Sequence, residues 1–132
     1  MGKEDHLTRQ INQLGFVLRK ILEKLTGTKN GDELSEMISV VNSKLYEQSG
    51  FDVEILETIP DENITEFLTQ KEGFNYSNIE LFADILVKIN IEKYTKKSLQ
   101  IYNDVNQITA TFSLERDLKI KELMFKLNNS EN

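Results

Sequence analysis

The sequence predicts an all-α protein, a compact array of about six to seven helices in one domain. Three observations carry that expectation. Each long segment repeats its apolar residues at helical spacing. Residues suited to helix starts stand ahead of these segments, at Asp32, Ser77 and Ser113. No segment alternates with a period of two outside the β-branched neighbourhood of Thr109 and Thr111, so no sheet is expected.

The first helix is expected from about Glu4 to Leu25. Leu7, Ile11, Leu14, Leu18, Ile21 and Leu25 recur at spacings of 4, 3, 4, 3 and 4, the rhythm of a packed helical seam. Val17 and Leu22 widen that stripe, whereas Phe16 points away from it among polar neighbours. The stripe is the leading candidate for the chain's main packing or assembly contact, either docked on the rest of the domain or shared with a second copy. After a loop around Gly27 to Gly31, a second helix fits Glu33 to Gln48, with Asp32 as its cap and Leu34, Met37, Ile38, Val41 and Leu45 inward. Gly50 should stop it, with Phe51 folding back. A short helical piece from Asp52 to Thr58 follows, then a helix with Pro60 in its first turn and Gly73 at its end. The lone proline and all six glycines are expected where helices start or stop.

Tyr76 to Leu127 reads as a helical hairpin followed by one packing helix. Ser77 and Glu80 have the spacing of a reciprocal cap, with Tyr76 and Leu81 as its hydrophobic staple. Phe82, Ala83, Ile85, Leu86 and Ile89 form one stripe; Tyr94, Ser98, Ile101, Tyr102, Val105 and Ile108 form the next. The hairpin should divide near Asn90-Ile91, where no strong breaker stands and one continuous helix is the alternative. Leu114, Leu118, Leu123, Met124 and Leu127 are assigned to the inner face of the last helix, and residues 129–132 to a frayed tail. Arg116 is suited to clamping a carboxylate across a helix junction, because its guanidinium offers a fixed fork of donors.

Composition narrows the chemistry. Apolar residues make up 39% and charged residues 29%, as in ordinary globular domains. Without cysteine, disulfides and thiolate chemistry are excluded. A net charge of −6 argues against nucleic acid as the main partner. The charge is uneven: residues 1–29 are net +3, residues 30–92 net −11 and residues 93–132 net +2. No apolar run exceeds three residues, so neither a secretion signal nor a membrane span is expected, and a cytoplasmic address follows as the expectation. His6 has no second ligand at metal-binding spacing, and no phosphate loop or nucleophile elbow is present. Glu54, Glu57, Asp61 and Glu62 read as a solvated acidic face on helical segments rather than a cation loop. Asp84 and Lys88 have the spacing of a helical ion pair. Neither cofactor nor metal is expected.

Residues 82–105 resemble the helix-turn-helix unit of the tetratricopeptide repeat. Phe82, Ile85 and Ile89 would take the large positions of its first helix, Ser98 its small crossing position and Tyr102 its aromatic position. Leu86 replaces a small residue, and residues 1–75 do not repeat the pattern. The whole chain is also similar to a group of small uncharacterised bacterial proteins, through residues 6–11 and 112–120. That resemblance implies a helical architecture and brings no known activity or functional residues.

Three functional expectations stand beside one another. The first is a non-enzymatic protein-interaction or assembly module with a protein partner or a homodimer, its groove or first helix receiving the partner. The second is membrane-surface association through the first helix, where Arg9, Arg19, Lys20 and Lys24 flank the apolar stripe. The third is a ligand binder or enzyme with a site made of scattered residues.

Overall fold

A computed structural model describes residues 3–27 and 31–130, with side chains described from His6 onward except at 28–35, 37 and 130. The described residues form six α-helices and two short 3-10 segments, with no strand among them. The helices are α1 (Lys3–Thr26), α2 (Gly31–Ser49), α3 (Ile64–Thr69), α4 (Tyr76–Ile89), α5 (Glu92–Thr109) and α6 (Leu114–Ser130). The 3-10 segments, Val53–Thr58 and Asp61–Asn63, link α2 to α3.

Helix α4 lies at the centre, packed against α1, α5 and α3. It is the most apolar stretch of the chain and buries Ile79, Phe82, Ala83, Ile85, Leu86 and Ile89. From α1 it receives Leu14, Leu18, Ile21 and Leu25, all buried in one continuous core. The basic first segment thus packs within its own domain, as a stripe too apolar to leave in water requires. Behind α4, Phe51, Phe67, Phe74 and Phe82 form an aromatic cluster with ring centroids 5.5 to 6.0 Å apart.

Several helix ends follow the local sequence. Helix α2 stops at Gly50 (φ +76°), whose N–H donates to the Tyr46 carbonyl, and Phe51 turns into the core. The hairpin divides at Asn90, which adopts the left-handed conformation (φ 62°) between α4 and α5. Ser113 caps α6, its hydroxyl accepting from the Arg116 N–H at 3.2 Å.

Other expectations are corrected. Asn75, not Ser77, caps α4: its Oδ1 accepts from the Asn78 N–H at 2.9 Å, and Ser77 lies inside the first turn. Phe74 and Ile79, both buried, take the flanking positions assigned to Tyr76 and Leu81. The reason is tertiary. Asn78 is buried and its Nδ2 donates to the Gly73 carbonyl at 2.7 Å and to the Ile11 carbonyl of α1 at 2.9 Å. A start at Asn75 places Asn78 where both bonds form.

Gly15 does not mark a helix end. It lies inside α1, where a Cβ would come within 3.0 Å of Asn78 Oδ1. Gly73 answers it from the opposite side: φ is +84°, and a Cβ there would come within 3.2 Å of the Gln10 carbonyl oxygen. Helix α3 ends earlier than expected, at Thr69. Asp32 falls within α2, and its side chain, like those of Leu34 and Met37, is outside the described residues. Helix α6 extends through residue 129 to Ser130, and 131–132 lie outside the described residues.

Candidate interaction surface

The hairpin meets α6 through polar contacts. Glu80 and Asp84, one turn apart on α4, present carboxylates toward α6, where Arg116 and Lys119 are also about one turn apart. Arg116 Nε and Nη2 both donate to Glu80 Oε1, at 3.0 and 2.9 Å. Its Nη1 donates to Asn106 Oδ1 on α5 at 2.7 Å and to the Thr111 carbonyl at 3.3 Å. One guanidinium therefore joins α4, the end of α5 and α6, with side chains of Arg116 and Glu80 only 12% and 20% exposed.

Lys119 Nζ donates to Asp84 Oδ1 at 3.0 Å, sits 3.6 Å from Glu80 Oε2 and lies over the Tyr102 ring. The Tyr102 hydroxyl donates to Asp84. Burial raises the Tyr102 phenol above its ordinary range, and the Asp84 carboxylate adds to the rise. For Lys119, burial opposes the charge, but Asp84, Glu80 and Glu115 outweigh it and the ammonium is held above its usual value. Asp84 is thus engaged across the helix junction rather than in the expected pair with Lys88.

Ser98 is fully buried where α5 crosses α4, its hydroxyl 2.9 Å from the Ala83 carbonyl and 3.1 Å from that of Tyr94. The acidic group is divided between roles. Glu57 pairs with Lys93, and Asp61 Oδ1 accepts from the buried Lys97 at 2.7 Å. Lys97 also donates to the Ile59 carbonyl at 2.6 Å, tying α5 to the 3-10 segments. Among the described residues no set of histidine, cysteine and carboxylate side chains is arranged to hold a metal ion.

The structure redistributes the assembly residues assigned to α1. Leu14, Leu18, Ile21 and Leu25 are core residues and cannot meet a partner or a lipid surface. Ile11 is half-buried, and its carbonyl is taken by Asn78. Only Leu7 and Phe16 remain exposed, at 54% and 57%. They are nine residues apart, about two and a half turns, and so leave opposite sides of the helix. Lys20 covers the Phe16 ring at 5.5 Å, beside an open groove between α1 and the end of α2.

A larger apolar surface lies on α6, on the face that spacing alone assigns to the interior. Ile120 and Leu123 are buried, but Leu114, Leu118 and Phe125 are 63%, 57% and 70% exposed. Leu114 and Leu123 are also nine residues apart, so they cannot share the single inner face assigned to them. Arg116 and Lys119 decide which face turns in: their bonds to Glu80 and Asp84 require Leu114 and Leu118 to point out. The two lysine–carboxylate and arginine–carboxylate junctions, seen from α4, were the available signal. Met124 and, just ahead of the helix, Phe112 are exposed as well. Between α6, α1 and α4 runs a groove of about 330 Å³, with Leu22, Val87 and Leu123 in its walls and Asp84, Tyr102 and Lys119 among its lining residues.

No described helix is long and apolar enough to cross a membrane. Compared with protein-family models, curated proteins and solved structures, the chain finds no match.

Proposed function

We propose that this protein is a non-enzymatic interaction module that presents the outward face of α6 to a protein partner. The carrying observation is that Leu114, Leu118 and Phe125 stand in water on a helix whose opposite face is pinned by Arg116 and Lys119. Leaving such a stripe exposed forgoes burial worth roughly 1.5–3 kcal/mol per large side chain. A stripe of this kind on a fixed helix is the arrangement that helix-in-groove and helix-pairing contacts use. The α4–α5 hairpin, read as tetratricopeptide-like, supplies the rigid support, and the Ser98 crossing favours that reading.

Site-specific photo-cross-linking tests the assignment in cells that make the protein. A cross-linker at Leu118 or Phe125 should capture one and the same protein, while one at Phe16 or Glu54 should not. Adducts at Phe16 with none at Leu118 or Phe125 would move the surface to α1 and overturn the proposal.

A further inference from the structure

We infer that the partner of α6 is a helix whose apolar stripe is edged by lysine or arginine; this rests on α6 being the contact surface. The stripe runs Leu114, Leu118, Lys121, Phe125, with spacings of 4, 3 and 4, the seam along which two helices interlock. What lies along its edges narrows the occupant.

By sequence, α6 is close to electrically balanced, with Glu115, Asp117 and Glu122 against Arg116, Lys119, Lys121 and Lys126. The fold separates these charges. Arg116 is spent on Glu80 and Asn106 and Lys119 on Asp84, while Lys126 keeps its charge but turns away from the stripe to donate to Asn90. Lys121 alone stays in the outward stripe, and Asp117 Oδ2 holds it at 3.1 Å. Glu115 and Glu122, seven residues apart, line one edge of the stripe and are exposed. Glu115 comes within 3.5 Å of Lys119, but that ammonium already serves Asp84 and Glu80. The first charges an arriving helix meets along this edge are carboxylates.

A second copy fits poorly. In an antiparallel pair like edges face each other, so Glu115 of one copy would stand opposite Glu122 of the other. In a parallel pair the same edge meets Asp117 and Met124, which again offers no cation. Either arrangement also places two copies of Lys121 in the seam. Anionic lipid is disfavoured by the same edge. A helix with Lys or Arg along the matching edge turns the repulsion between carboxylates into an attraction and brings no second Lys121 into the seam.

The test uses the full chain and two synthetic helical peptides that share a leucine stripe and differ only in one edge, all Lys or all Glu. Fluorescence anisotropy should show the Lys-edged peptide binding about five- to tenfold tighter at low salt, the scale of two exposed ion pairs. Raising the salt to about 1 M should shrink that preference, and the Glu115→Lys, Glu122→Lys double variant should invert it. Leu118→Asp should abolish binding of both peptides, and circular dichroism should show its fold intact because the residue is exposed. Equal binding of the two peptides, lost in Leu118→Asp, overturns the basic-edge assignment while leaving α6 as the contact surface. Absence of binding by either peptide overturns both. A homodimer in sedimentation equilibrium that Leu118→Asp dissociates identifies a second copy as the occupant and overturns the inference.

Discussion

Replacing Arg116 with Met keeps most of the stem's packing and removes the charge that joins α4, α5 and α6. Glu80 then loses two donors at 3.0 and 2.9 Å, and Asn106 Oδ1 loses one at 2.7 Å. Breaking a buried pair from one side costs about 3–5 kcal/mol. Here the side chains keep 12% and 20% exposure, and Lys119 stands 3.6 Å from the other Glu80 oxygen. Water and that second cation offset part of the loss, so about 2–3 kcal/mol is expected. For a chain of this size each kcal/mol moves Tm by roughly 3–5 °C, which gives a fall near 10 °C. Glu80→Gln and the double variant complete a cycle read by urea unfolding. A coupling of about 1–3 kcal/mol is expected between partners in direct contact. Strict additivity, or a loss below about 0.5 kcal/mol for Arg116→Met, would show that α6 is held by apolar contact alone and refute the clamp.

Asn75→Ala should cost about 1 kcal/mol by removing the α4 cap, whereas Ser77→Ala should stay within about 0.5 kcal/mol of the parent; equal losses in chemical denaturation would contradict the cap assignment. Ala110 ends α5 at φ 52°, where a Cβ is strained, so Ala110→Gly should stabilise by about 1 kcal/mol in the same assay despite glycine's greater freedom when unfolded. Lys119 and Tyr102 both titrate above their ordinary values of 10.5 and 10.0 in the folded protein. Their contribution to stability is therefore whole below about pH 10 and is lost as pH rises through the folded values. The urea midpoint should fall above that pH, and Tyr102→Phe should make the fall shallower; an unchanged slope would show that Tyr102 is not held neutral by its surroundings.

Much of this architecture is legible in the sequence because local rules and tertiary packing agree there. The α1 stripe and the Ser113 cap follow from spacing and from single residues, whereas the break at Asn90 has no strong local breaker and is decided by the left-handed turn there. Legibility fails where two local solutions are nearly equal and a distant contact decides. Asn75 and Ser77 are both good caps, and Asn78 selects the first by reaching α1. Apolar residues surround α6 on several sides, so its inner face is fixed by Glu80 and Asp84 on another helix. The outward stripe became visible only once those carboxylates were paired with Arg116 and Lys119. Gly15 misleads for a related reason: glycine inside a helix looks like a local defect, but here it makes room for a neighbour.

That room has a consequence for alignment. A leucine seam repeating every 4 and 3 residues is nearly self-similar under a shift of one or two turns, so apolar packing alone would let α1 slide along α4 at modest cost. The amide of Asn78 removes that freedom. Its bond to the Ile11 carbonyl forms at one setting only, opposite the bare backbone of Gly15, while its bond to the Gly73 carbonyl holds the amide in place from its own side. A slip by one turn would bring a side chain against the amide and break its bond to α1, a penalty of about 1–3 kcal/mol. The seam supplies the adhesion between the two helices, and one asparagine facing one glycine sets the register.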